Sequence, residues 1–114
     1  MYLPTLKSAT ILAESRANSD HLVLFGHIEP LGPIRYAYLL AAFVDGSDEP
    51  VAIVSSEVNE FASRPEDGSH FLCLFLADGH YNFGPDDAWG DRDTFLAAAV
   101  SVLKDALEPV RYIG

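Results

Sequence analysis

The first candidate for a chemical site is the tripeptide His27-Ile28-Glu29. Residues two apart in a strand point to the same side, about 6.6 Å from each other. His27 and Glu29 could therefore share a metal ion, or the carboxylate could orient the imidazole as a general base. A second histidine, either His70 or His80, would have to approach from another strand. A pair this short more often marks a solvated strand end. We treat His27 and Glu29 as weak metal-ligand candidates and expect no cofactor.

The segment at residues 79–90 combines aromatic rings with carboxylates. We expect it to be irregular, and long irregular connections in compact domains are often functional. Aromatic rings beside carboxylates can bind a cationic group. The alternative is that the rings pack over the end of the core. With two tyrosines from a neighbouring strand, the segment predicts a pocket for an apolar or cationic ligand, formed by Tyr36, Tyr38, Tyr81, Phe83, Trp89, Asp86 and Asp87.

No residue of the sequence stands out as a nucleophile. A Gly-x-Ser-x-Gly elbow is missing, and Ser55-Ser56 lies in a predicted strand without an identifiable base. The single cysteine, Cys73, shares a predicted strand face with Phe71 and Phe75, where burial raises the pKa of a thiol and suppresses its reactivity. The sequence therefore predicts no catalytic residue and favours a protein that is not an enzyme.

Composition and charge limit the classes of partner. The chain of 114 residues suits one domain over residues 1–114, and 17 acidic against 7 basic residues give a formal net charge of −10. That charge repels nucleic acids and anionic membranes but could steer the chain toward a basic protein. One cysteine excludes an intramolecular disulfide. The first 17 residues lack a secretory signal, and the longest apolar run, at residues 36–44, is too short to span a membrane, so a cytoplasmic setting is expected.

Hydrophobic periodicity predicts an α+β domain. An apolar stripe predicts a helix at residues 5–17, and a stronger one predicts a helix from residue 92 or 93 to residue 107, ended by Pro109. Alternating and apolar runs between them predict four strands, at residues 21–28, 34–44, 51–58 and 70–78. Short connections favour an antiparallel four-stranded meander with the N-terminal and C-terminal helices packed on one face.

The predicted sheet has more apolar surface than two helices can shield. Three of the four strands are apolar on both sides. Four strands form a sheet roughly 19 Å wide, whereas a packed helix is about 10 Å wide, so two helices cover one face. The other face would need the segment at 79–90, a ligand or a second copy, and a homodimer is the commonest solution.

Three functions follow from these observations. The first is a small acidic interaction module, not an enzyme, that associates with itself through the apolar sheet face. The alternative is a small-molecule binding protein with the aromatic pocket. The third is a small metal-dependent hydrolase that uses His27, Glu29 and a second histidine.

Overall fold

The computed structural model describes residues 9–17, 20–28, 34–44 and 49–113. Within these ranges, short 3₁₀ helices lie at Pro65–Asp67 and Asp87–Gly90. The longer elements are six strands followed by one helix: β1 (Thr10–Ala17), β2 (Asp20–Gly26), β3 (Tyr36–Val44), β4 (Ala52–Val58), β5 (His70–Leu76), β6 (Gly79–Asp86) and α1 (Arg92–Ile113). The strands form one antiparallel sheet in the order β1-β2-β3-β4-β5-β6.

The α+β class and the antiparallel sheet are confirmed, but the predicted four-stranded sheet with two terminal helices is wrong. Residues 10–17 of the predicted N-terminal helix form β1, and residues 5–8 lie outside the described residues. Ala13 and Ala17 favour a helix there locally, yet β1 pairs with β2 from Thr10 opposite Gly26 to Ala17 opposite Asp20, with one irregularity between Ile11 and Ala13. Long-range pairing outweighs helix propensity, which is a weak preference of a few tenths of a kcal/mol per residue.

The prediction that residues 79–90 form an irregular segment is also wrong. Most of it is β6, which pairs with β5 after a tight turn, with Leu76 opposite Gly79. Its glycines and proline suggest a loop. However, β6 is an edge strand, and an edge strand tolerates proline because a backbone N–H that faces solvent is not needed for pairing with a neighbouring strand. Pro85 follows Gly84, which has a φ of 100°, and the register shifts between Phe71 and Cys73 opposite this end of the strand.

Helix α1 packs on one side of the sheet, which we call the helix face. Asp91 begins the helix, because its carboxylate accepts hydrogen bonds from the backbone N–H of Thr94 at 3.0 Å and from its hydroxyl at 2.7 Å. Phe95, Ala99 and Leu103, spaced by four residues, are buried in one core cluster with residues of β2 to β5. The helix continues beyond Pro109, where the sequence predicted its end.

The far face, the side of the sheet opposite α1, carries a second buried cluster. All of its buried members except Ile28, which follows β2 by two residues, lie in β2 to β5, and none belongs to α1: Val23, Phe25, Ile28, Tyr36, Leu39, Ala41, Ile53, Cys73 and Phe75. An irregularity in the pairing of β3 with β4 lies between Tyr36 and Tyr38. These two tyrosines, which strict alternation would place together, therefore lie on opposite faces of the sheet.

Among the described residues, no helix combines the length and the apolar character that crossing a bilayer requires.

Candidate functional site

Three adjacent strands bring a carboxylate, a thiol and an imidazole together on the far face. Glu57 lies on β4, Cys73 on β5 and His80 on β6. Their potential ligand atoms all lie within 4.8 Å of one another, and within the described part of the chain they are the one group of three such residues with this spacing. The pairing explains the arrangement, because Ser55 lies opposite Cys73 and Phe75 lies opposite His80.

Neighbouring side chains hold this cluster in place. The hydroxyl of Ser55 donates a hydrogen bond of 3.2 Å to Oε1 of Glu57. The ring of His80 stacks on that of Phe75, with centroids 4.5 Å apart and planes inclined by 5°. These contacts orient the carboxylate and the imidazole, as supporting residues do around a binding site.

Burial and a nearby negative charge determine the protonation state of the Cys73 thiol. Cys73 is 0% exposed. Desolvation, reinforced by the charge of Glu57, raises the pKa of the Cys73 thiol to about 12, although Ser55 opposes the shift by hydrogen bonding. The thiol is therefore protonated at neutral pH and is not a nucleophile by itself.

A pocket of about 440 Å³ opens beside the cluster, and we call it the far-face pocket. Its walls are mostly aliphatic and aromatic, and it contains two carboxylates and one imidazole. The residues that line it are Ile34, Tyr36, Glu57, Phe75, Leu76, Ala77, Asp78, Gly79 and His80. Small-molecule sites typically combine such apolar walls with a few polar groups in cavities of about 300–1,000 Å³.

The structure does not bring together the seven residues that the sequence suggested as a ligand site. Tyr36 lines the far-face pocket. Tyr38 lies on the helix face and stacks with Phe95, their centroids 5.7 Å apart. Tyr81 and Phe83 are exposed on β6, where they line a separate cavity of about 330 Å³ against α1, which we call the β6 groove.

The other three members of that set have structural contacts. Trp89 packs against the helix-face core, and its carbonyl accepts a hydrogen bond of 2.6 Å from the hydroxyl of Ser56. Asp86 accepts from the backbone N–H of Ala88 at 2.9 Å and so caps the second 3₁₀ helix. Asp87 accepts from the backbone N–H of Ser69 at 2.8 Å.

The histidines suggested as metal ligands form no ligating group of three with one another among the described residues. His27, which has a φ of 50°, lines a further pocket with Tyr38 and Arg92, and Glu29 lies outside the described residues. Nδ1 of His70 lies 2.7 Å from the hydroxyl of Ser69. Burial lowers the pKa of His70, opposed by the charge of Asp87. Of these histidines, His80 alone joins a ligating group among the described residues.

No model of a known protein family matches the chain, and no curated protein and no solved structure matches it either. Its function is therefore inferred from the geometry of its own residues.

Proposed function

We propose that this protein binds a small molecule with an apolar body and a cationic end in the far-face pocket. The observation that carries the proposal is the combination of apolar walls with two carboxylates, Glu57 and Asp78, in one cavity of about 440 Å³. The rings of Tyr36 and Phe75 would contact the apolar body. The cationic end would approach Glu57, which is partly buried and hydrogen-bonded by Ser55.

Electrostatics favours a cation over an anion in this pocket. A cation near a partly buried carboxylate gains more than one at the fully solvated surface, because the effective dielectric is lower there. Aromatic rings add cation–π attraction of about 0.5–2 kcal/mol. The formal net charge of −10 attracts cations at longer range and repels anions.

Three ligands with one aromatic body and different ends test the proposal: phenethylamine, phenethyl alcohol and phenylacetate, each titrated by calorimetry. We expect the amine to bind more tightly than the alcohol and the acid to bind least. Glu57→Gln should weaken amine binding at least tenfold, which corresponds to about 1.4 kcal/mol, because the amide keeps the shape of the side chain but not its charge.

The matched control is Asp105→Asn, which removes a carboxylate from the β6 groove on the other side of the sheet. It should leave amine binding unchanged. Equal affinity for the three ligands, or an equal effect of the two substitutions, would contradict the proposal.

Self-association is a second candidate function, and the exposed edge of β6 favours it. The apolar residues of the far-face cluster are buried, so they offer no open sheet face within the described residues. By contrast, Tyr81 is 47% exposed and Phe83 is 54% exposed, both on the edge strand beside the β6 groove. An edge strand can pair with its counterpart in a second copy around a twofold axis, which would place both pairs of rings on the same face.

Sedimentation equilibrium at high micromolar concentration measures this association. We expect a reversible dimer that strengthens with added salt, because two acidic copies repel each other. Phe83→Glu should abolish the dimer, whereas Phe61→Glu should not, since Phe61 is 92% exposed in a turn outside β6. A wild-type monomer, or equal effects of both substitutions, would refute the proposal. Binding to a basic protein and a cytoplasmic setting remain predictions.

A further inference from the structure

We propose that Glu57, Cys73 and His80 bind a transition-metal ion of the zinc class. This inference goes beyond amine binding, since it requires the thiol and the imidazole, which the cationic ligand does not. The two proposals share one carboxylate, so a metal ion and an amine would compete for Glu57.

The spacing of the three side chains suits a single ion. Zinc bonds of about 2.0–2.3 Å in tetrahedral geometry place the ligand atoms roughly 3.5 Å apart. The ligand atoms lie within 4.8 Å of one another, so closure around an ion requires movements of about an ångström. Cys73 is fixed in the core, whereas Glu57 is partly buried and His80 is exposed on an edge strand, so the latter two can make that adjustment.

The ligand types select the class of metal. Thiolate and imidazole favour zinc, cobalt or copper, whereas magnesium and calcium prefer sites made of oxygen atoms alone. Metal binding releases the proton of the Cys73 thiol to solvent, and the resulting thiolate together with the carboxylate balances the charge of a divalent ion. The hydrogen bond from Ser55 to Glu57 and the stacking of His80 on Phe75 keep these two ligands beside the thiol.

Among the described residues three ligands come together, which leaves one coordination position of a tetrahedral ion free. Glu57 and His80 also line the far-face pocket, so the free position opens toward it. Zinc sites with an open position characteristically bind water or a substrate there, whereas structural sites use four protein ligands. The arrangement therefore points to a site that engages an exogenous ligand and does not simply stabilise the fold.

Cobalt substitution tests the metal site on the full chain without a histidine tag, kept reduced by a phosphine. We expect one Co²⁺ per chain, a sulfur-to-cobalt charge-transfer band in the near ultraviolet, and displacement of Co²⁺ by Zn²⁺ but not by Mg²⁺. Cys73→Ser should abolish the band. His80→Gln and Glu57→Gln should each weaken binding at least tenfold.

His70→Gln is the matched control, because His70 is a histidine outside the ligand group, at the opposite end of β5 from the turn into β6. It should leave the cobalt spectrum and affinity unchanged. A spectrum without the sulfur band, or an equal loss in His70→Gln and His80→Gln, would overturn the proposal.

The melting temperature distinguishes loss of metal binding from a failure of the variant to fold. Zn²⁺ should raise the melting temperature of the wild type but not that of Cys73→Ser, and a shift of equal size in both would also refute the metal site. Amine titration separates the two proposals, since Cys73→Ser should lose metal binding and retain amine binding, whereas Glu57→Gln should weaken both. If only one of the two ligands fails to bind, this result refutes the proposal for that ligand and leaves the other proposal intact.

Discussion

In the folded, metal-free protein, Cys73 should react with iodoacetamide at pH 8 at least a thousandfold more slowly than in the chain unfolded in guanidinium. The attacking species is the thiolate. An ordinary cysteine with a pKa of about 8.5 is roughly one quarter ionised at pH 8. A pKa of about 12 reduces the ionised fraction to about one in ten thousand.

Burial adds to this protection, because the Cys73 side chain is 0% exposed and the reagent cannot reach it without local opening. Mass spectrometry of samples quenched over time gives both rates. Glu57→Gln provides a graded control: it removes one cause of the raised pKa but leaves the larger one, desolvation, so labelling should accelerate and remain slow. A folded rate within tenfold of the unfolded rate would show that Cys73 is neither buried nor protonated as described.

Phe95→Ala should lower the free energy of unfolding by about 3–5 kcal/mol, the usual cost of truncating a buried phenylalanine. Phe95 is 0% exposed and belongs to the core cluster that joins α1 to the sheet. It also stacks against Tyr38, with an interplanar angle of 24°. Because domains are stable by only about 5–15 kcal/mol, this substitution removes a large part of the total.

Urea unfolding followed by circular dichroism measures the change. Phe61→Ala truncates a side chain of the same type that is 92% exposed, and it should change the free energy of unfolding by less than about 0.5 kcal/mol. Similar midpoints for the two variants would mean that α1 does not anchor to the sheet through Phe95. A large decrease in the free energy of unfolding in Phe95→Ala, but not in Phe61→Ala, agrees with the packing described.

The two edges of the sheet were the part of the fold that local pattern could not identify. The four predicted strands coincide closely with β2 to β5, whose apolar runs are buried on both faces. Both edge strands were misassigned, β1 as a helix and β6 as a loop. Edge strands are half solvated and tolerate alanine, glycine and proline, so their sequences carry a weak strand signal.

The candidate site was missed for the same reason. With β6 assigned as a loop, no strand partner could be predicted for His80. For Cys73, the sequence indicated only the phenylalanines that share its face of β5. If residues 77 and 78 had been interpreted as a tight turn, pairing would have placed His80 opposite Phe75 and diagonal to Cys73. The remaining sequence signal for the site was the pair Ser55 and Glu57, two polar residues that alternation places on the same face of β4.

Composition and local periodicity suffice to predict several properties of the protein. These are the acidic charge, the apolar strands of the inner sheet, the helix that begins near Arg92, and a cysteine between two phenylalanines. Three further features are visible only in the folded chain: the pairing of segments at the sheet edges, the separation of Tyr36 and Tyr38 across an irregular pairing, and the convergence of Glu57, Cys73 and His80. The physical reason is that periodicity is a property of neighbours in the chain, whereas register depends on turns, bulges and partners that only the assembled sheet brings together.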